Sequence, residues 1–357
     1  MNRKVEARRA VFAIPGDLTA RTGGYIYGER LAQGLRTLGW QFDILNLGRS
    51  FPNPTPADMA AALASLAAVP ADTVLLVDGL AFGALDTVGL TAVKAPICAL
   101  VHHPLALESG VAPDRATVLR QLETANLTMA RQVIVTSSHT AATLAHDFGV
   151  PEQRITVALP GTDRPEKPSQ PSTVPHILAV GSLTQRKGHD VLMAALASLT
   201  DLEWTAEIVG GPHDPAVTSQ LKAQRAALGL EQGVQFIGEL ERTELDACYA
   251  RASLFALATR NEGYGMVFTE ATANGLPIVS CATGALPETA PKDSSILVPP
   301  DDPPAFAAAL RSILTNPALM DRLTNGAPAA AADLPTWEQT VSLAGIALAK
   351  TMDGPAV

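Results

Sequence analysis

The chain has 357 residues, 47% of them hydrophobic, and a formal net charge of −9. That length points to two domains of ordinary size, and the apolar content supplies two buried cores, which excludes disorder over most of the chain. The acidic balance argues against general affinity for nucleic acid or an anionic membrane, because holding a polyanion needs a broad cationic face.

The opening MNRKVEARRAVFAIPG is basic, but its apolar segment is cut by Pro15 and Gly16 and reads as a first strand at 9–16 rather than a signal peptide. No run of about 18 uninterrupted apolar residues follows. A cytoplasmic protein is expected, with peripheral attachment at the inner face of a membrane left open. Next, TARTGGYIYGERLAQGLRTLGW sets Gly23 and Gly24 between that strand and a helix to about Leu38. A tight strand-to-helix turn accounts for the two glycines, and a dinucleotide-binding site is the rival reading. The dinucleotide fingerprint G-x-G-x-x-G does not occur.

Further apolar runs at 41–48, 73–79, 95–103, 132–138 and 155–161 alternate with stretches of helical pattern. Near-continuous apolar character is what a strand covered on both faces by helices requires, so these runs predict a doubly wound parallel sheet. The run ALVHH ends in His102 and His103, two histidines at a strand end where a ligand or a structural role would each make sense. His139, His146, His176 and His213 read as surface or turn residues, and His189 as shaping its loop. The proline-rich TDRPEKPSQPSTVP, 162–175, disfavours helix and ladder alike and reads as an interdomain hinge.

A second series of strands is predicted at 176–182, 203–211, 233–238, 253–259, 277–281 and 295–300. Two such α/β layers would leave a cleft between them, the usual place for a ligand. Within this half, GSLTQRKGHD places Arg186 and Lys187 together in a glycine-flanked turn after a strand. NEGYGMVFTEATANGLPIVS then turns through Gly263 and Gly265 into a helix to about Asn274, stopped by Gly275 and Pro277. Glu262 precedes that helix, and Glu270 lies about 7.5 Å along its axis from the start at 1.5 Å per residue. The helix N-terminus suits a diphosphate, and carboxylates on either side suit ribose and sugar hydroxyls, as a nucleotide sugar would need. An exposed helix with acidic residues facing water is the other reading of the same pattern.

Cys98, Cys248 and Cys281 are widely spaced in apolar or helical sequence and read as buried free thiols. No D-x-D pair stands in a plausible metal-binding loop; Asp301 and Asp302 are adjacent and beside prolines. Metal-independent chemistry and no bound cofactor are expected.

EGYGMVFTE resembles the E-x7-E signature of the retaining glycosyltransferases of the GT-B fold, family 4 (glycosyl transferases group 1). VGSLTQRKGHDVLMAAL resembles that family's G-R-L-x-x-x-K-G segment, with Ser182 where the family often has an Arg. The resemblance extends over most of the chain, through VIVTSSHTAATLAHDFGVPEQRITVALPGTD, PIVSCATGALPE and the TWEQT that opens the last helix. It implies two Rossmann-like doubly wound domains facing a cleft: an acceptor-side domain at 1–165, with a C-terminal helix about 335–357 packing back on it, and a nucleotide-sugar-binding domain at 175–334.

The resemblance also implies roles. Glu270 would bind the donor ribose and Glu262 the donor sugar, Arg186 and Lys187 would hold the diphosphate, and His102, with His103 as the alternative, would face the sugar near its reacting carbon. Gly23, Gly24, Ser182, Gly263, Tyr264, Gly265, Met266 and Val267 would line the donor. The implied activity is retaining transfer of a sugar from a nucleoside-diphosphate donor, UDP or GDP first and ADP third, to a hydroxyl acceptor such as a saccharide, lipid or small molecule. The partners would then be a nucleotide sugar and that acceptor, not nucleic acid. A nucleotide-sugar epimerase on the same fold predicts more carboxylates around the His pair than Glu108. A non-catalytic binding protein predicts an export signal.

Overall fold

The computed structural model describes residues 8–18, 22–165 and 172–354. The chain divides into two units, Met1–Gly161 with Pro335–Val357, and Thr162–Leu334. Residues 166–171 of the predicted hinge lie outside the described residues, as do 355–357 of the predicted last helix.

Among the described residues unit 1 holds six strands: β1 (Arg9–Ile14), β2 (Gln41–Asn46), β3 (Val74–Asp78), β4 (Ile97–Val101), β5 (Gln132–Val135) and β6 (Ile155–Val157). Unit 2 holds β7 (His176–Val180), β8 (Thr205–Val209), β9 (Val234–Gly238), β10 (Leu254–Leu257), β11 (Ile278–Cys281) and β12 (Ser295–Val298). Every described pairing is parallel, in the orders β2-β1-β3-β4-β5-β6 and β12-β11-β10-β7-β8-β9. Burial is most complete in the central strands. VLLVD of β3, ICALV of β4, HILAV of β7 and LFAL of β10 are buried at every position, while edge strand β2 is largely exposed.

Between the strands the chain supplies its own helix starts. Thr55 accepts from Asp58 N–H, Ser137 from Thr140 N–H, Asp214 from two N–H groups and Asp302 from Ala305 N–H. Each of these satisfies N–H groups that the helix itself leaves unpaired. The long C-terminal helix Trp337–Asp353 opens with a reciprocal Thr336–Gln339 capping box. It returns to unit 1, where Val341, Ala344, Ala347 and Leu348 share a core with Phe12, Leu31 and Leu35. Arg131 closes the far end through Nη1 to the carbonyls of Thr351 and Gly354, at 3.0 and 2.8 Å. Cys98, Cys248 and Cys281 are buried free thiols, and burial pushes those of Cys98 and Cys281 up to about 12.

The strand orders locate the crevices. In unit 1 the chain leaves β1 toward β2 and later returns on the other side through β3; in unit 2 it leaves β7 toward β8 and returns through β10. Neighbouring crossovers therefore depart to opposite sides at the β1/β3 and β7/β10 boundaries. In open α/β sheets, ligands bind outside the strand C-termini at such switch points.

Candidate functional site

The switch point of unit 2 is where the cationic turn and the first glutamate meet. After β7 the chain passes Gly181 and Ser182 and tightens into a short 3-10 turn, Gln185–Lys187. Gly188 follows at φ +63 and begins the helix His189–Ala197. A side chain there would suffer the left-handed backbone and place its Cβ 1.8 Å from Ala258 O. This glycine lets the turn seat directly against the end of β10.

The turn aims both cations at one carboxylate. Lys187 lays its aliphatic stem over Gly181, is buried, and donates from Nζ to Glu262 Oε1 at 2.7 Å. Arg186 Nη1 reaches Glu262 Oε2 at 3.2 Å and donates to Asn261 O at 2.8 Å. Thr259 Oγ1 lies 2.9 Å from Glu262 Oε1, and Ala285 N–H donates to Glu262 O at 3.0 Å. Burial works to raise the Glu262 carboxyl, but the Lys187 and Arg186 cations with the Thr259 hydroxyl overcome it and hold the group below its ordinary value. Glu262 is thus an ionised carboxylate at neutral pH with 5% of its surface exposed.

His189 stabilises the same turn from behind. Its Nε2 lies 3.1 and 3.3 Å from the carbonyls of Gly181 and Ser182, two acceptors that require this nitrogen to carry the hydrogen. Burial lowers the imidazole to about 4, so it is neutral at pH 7.

From Glu262 the chain runs through Gly263 and Tyr264 to Gly265, at φ +91, and into the helix Met266–Ala273. The helix opens without a side-chain cap, which leaves its first N–H groups, at Met266 and Val267, to face outward from the helix end. Glu270 sits in its second turn. Arg242 Nη1 donates to its Oε1 at 2.6 Å and Tyr249 OH to its Oε2 at 2.9 Å. The reading of an exposed acidic helix therefore fails. Glu262 is buried, the Glu270 side chain is 12% exposed, and Phe268, Thr269, Ala271 and Thr272 face the core.

In unit 1, β3 and β4 end in a cluster of different character. Asp78 is buried, accepts from Leu80 N–H at 2.9 Å and places Oδ2 3.9 Å from His102 Nε2. Burial pushes its carboxyl up to about 7 against that hydrogen bond, and lowers the His102 imidazole to about 4. The His102 ring meets Tyr27 edge-on, with centroids 5.3 Å apart, and comes within 3.5 Å of where a Cβ on Gly24 would lie. His103, one residue on, is half-buried. Glu123 then accepts from the N–H groups of Leu105 and Ala106 at 2.8 and 3.0 Å, fixing the segment that follows the two histidines.

Two expectations need correction. Gly23 and Gly24 do not precede the first helix as a loop; they are its first two residues, and Gly24 is where the helix passes His102. His176 is not a surface or turn residue. It is buried in β7, with Nδ1 2.8 Å from Thr205 Oγ1 and Nε2 3.3 Å from Glu207 Oε2. The polar partners on neighbouring β8 make burial of the ring tolerable.

The structure brings Arg186, Lys187 and Glu262 together beside Ser182, and separately brings Gly24 to His102. Sequence reasoning missed Thr259, Arg260, Asp190, Arg242 and Tyr249 in unit 2, and Asp78, Tyr27 and Glu123 in unit 1. A polar residue ending an apolar strand, as in VLLVD or LATR, was the available signal. Among the described residues no group of three or more His, Cys, Asp and Glu side chains could hold a metal ion, and no helix is long and apolar enough to cross a membrane.

Residues 162–330, nearly all of unit 2, match the family model described as glycosyl transferases group 1. A D-inositol 3-phosphate glycosyltransferase of Nocardioides sp. is 34% identical over 232 residues, 56% of this chain and 49% of that protein. Its counterpart in Corynebacterium efficiens is 28% identical over 245 residues, 62% of this chain and 58% of that one. The chain spans about half the length of the curated relatives it matches.

Over nearly the whole chain the fold is that of solved GT-B glycosyltransferases. Sucrose-phosphate synthase from Thermosynechococcus elongatus superposes with a TM-score of 0.78 at 22% identity, covering 95% of this chain and 98% of that one. Anabaena HepE, solved in complex with UDP-glucose, gives 0.78 at 16% identity, covering 95% and 99%. The architecture is therefore GT-B: two Rossmann-like units, each a parallel sheet wrapped by helices.

Proposed function

We propose that this chain is a retaining glycosyltransferase that moves a sugar from a nucleoside-diphosphate donor to a hydroxyl acceptor without a metal ion. The observation that carries the reading is the convergence of Lys187 and Arg186 on the β7/β10 switch point, next to the uncapped N-terminus of the helix Met266–Ala273. Leaving-group departure develops charge on the diphosphate, and cations held in a tight turn at this position stabilise that charge. Here they supply the positive charge that a metal supplies elsewhere. Lys187 and Arg186 would take the phosphoryl oxygens, Glu262 would turn its carboxylate to the donor sugar, and Glu270, held from behind by Arg242 and Tyr249, would take the ribose.

At the switch point of unit 1, neutral His102 would offer a hydrogen bond to a sugar hydroxyl. A UDP-sugar is the leading donor, since HepE was solved with UDP-glucose. The named relatives are glycosyltransferases, which favours transfer over epimerisation.

A thermal-shift panel with UDP, GDP and ADP, each with magnesium and with EDTA, tests the proposal. A ligand that binds only the folded state stabilises it by about 2.7 kcal/mol at 100 times its Kd. The expected result is a shift selective for one nucleotide and indifferent to EDTA. No shift with any of the three at millimolar concentration contradicts the donor site, and a shift that requires magnesium contradicts metal independence.

A further inference from the structure

Arg260 ties the cationic turn to the sheet. It leaves the end of β10 with its side chain 17% exposed, and its backbone N–H donates to Arg186 O at 2.8 Å. Its guanidinium grips Asp190 in bidentate fashion, Nη1 to Oδ1 at 3.0 Å and Nη2 to Oδ2 at 2.7 Å. Nη1 also donates to Gln185 O, and Nε donates to Asp301 Oδ1 at 2.7 Å. Thr283 Oγ1, from the loop after β11, donates to Arg260 O at 2.8 Å. One residue thus holds the first residue of the turn Gln185–Lys187, the carbonyl of Arg186 and the opening of the helix that follows.

The charge of Arg260 is matched by two carboxylates, and its guanidinium donates to Asp190, Asp301 and Gln185 O. Its chemistry is that of a clamp. We propose that Arg260, with Asp190, is a positioning residue: it fixes the Gln185–Lys187 turn so that Arg186 and Lys187 meet the phosphoryl oxygens of a nucleoside diphosphate, which Arg260 itself does not touch. This rests on the reading of unit 2 as the donor site. A misplacement of about 1 Å in an oriented catalytic group costs on the order of 10²-fold in rate, so a turn that carries two such groups needs fixing. A lysine cannot substitute, because a single ammonium cannot span both Asp190 oxygens, Gln185 O and Asp301.

The test compares affinities for UDP, GDP and ADP with those for UMP, GMP and AMP, which lack the terminal phosphate. Wild type is measured beside Arg260→Lys, Arg260→Gln, Asp190→Asn and Asp301→Asn. For whichever base binds, Arg260→Lys and Arg260→Gln should weaken the diphosphate by at least about tenfold, a change of one decade in Kd, while the monophosphate stays within about twofold.

Asp190→Asn, at a partly exposed carboxylate, should reproduce the selective loss to a smaller degree and covers the case in which the Arg260 variants do not fold. Asp301→Asn, which removes a partner that is 60% exposed, should leave both affinities near wild type. Folded Arg260 or Asp190 variants that keep full diphosphate affinity overturn the inference and leave the donor site standing. Equal loss of diphosphate and monophosphate reduces Arg260 to general support of the fold and also overturns it. Wild type that binds none of the diphosphates overturns the donor site and the inference together.

Discussion

At the switch point of unit 2, Glu262 is buried with two cations and a hydroxyl on its carboxylate. At that of unit 1, Asp78 is buried with one backbone N–H and an imidazole 3.9 Å away. Both acids occupy the C-terminal edge of a parallel sheet, yet one keeps its charge and the other is pushed toward neutrality. Burial alone raises a carboxyl; only a cation or several donors can reverse it. The same topological position therefore serves two chemistries. The edge of unit 2 holds two cations on an ionised carboxylate, and the edge of unit 1 a carboxyl and an imidazole that burial pushes toward their neutral forms.

The sharpest way to break the contrast is to empty the turn of its buried cation. Lys187→Ala should lower turnover by on the order of 10²–10³-fold, the loss seen when one preorganised donor to developing negative charge is removed. The check is steady-state release of nucleoside diphosphate from the donor. A loss smaller than about tenfold would move the diphosphate away from Lys187.

Next in size is Glu262→Gln, which leaves Lys187 and Arg186 facing a neutral amide. Breaking a buried pair by removing one partner costs about 3 kcal/mol, read here as a fall in the urea midpoint at unchanged slope. A variant as stable as wild type would mean that the Lys187–Glu262 bond contributes nothing to the fold.

The contrast is sharpened by pH. The Asp78 carboxyl, raised by burial to about 7 from 3.8, holds its proton more tightly in the folded state. Its contribution is therefore complete below about pH 4 and is lost as pH climbs toward 7. Asp78→Asn should remove that slope, so its Tm relative to wild type should be higher at pH 8 than at pH 5. An equal difference at both values would show that Asp78 is ionised throughout. Glu262 has the opposite sign: its carboxyl is depressed, so its contribution is present above the ordinary carboxylate range and is lost on acidification.

The smallest effect concerns Glu270. Arg242 is 44% exposed, and an exposed pair contributes at most about 1 kcal/mol. Arg242→Ala should leave the urea midpoint nearly unchanged while weakening nucleoside diphosphate and monophosphate alike, since both carry the ribose that Glu270 would hold. Loss confined to the diphosphate would assign Arg242 to the phosphates instead.

All twelve described strands were legible in the sequence, the central ones most plainly, because a strand covered on both faces reads as an unbroken apolar run, as VLLVD and ICALV do. The pairing of Arg186 and Lys187 in a tight turn was legible from the flanking glycines, and the position of Glu262 from the Gly263–Gly265 turn before a helix. What joins them was not. Arg260 and Asp190 are 70 residues apart, so their pairing exists only after β7 and β10 lie side by side, and Tyr249 and Glu270 are 21 apart on the two helices that flank β10, so theirs exists only once those helices pack together. The return of the last helix was beyond periodicity for the same reason. Its alanine-rich face declares burial, but the Phe12 and Leu35 it packs against lie some three hundred residues earlier.

The most direct measurement is calorimetric titration of UDP, GDP and ADP into wild type and Lys187→Ala at low and high salt. The account predicts that one nucleoside diphosphate binds wild type, that its affinity falls as salt rises, and that Lys187→Ala weakens it by at least about tenfold and flattens the salt dependence. Equal affinity in wild type and variant, or no binding to either, would contradict a diphosphate site at the β7/β10 switch point.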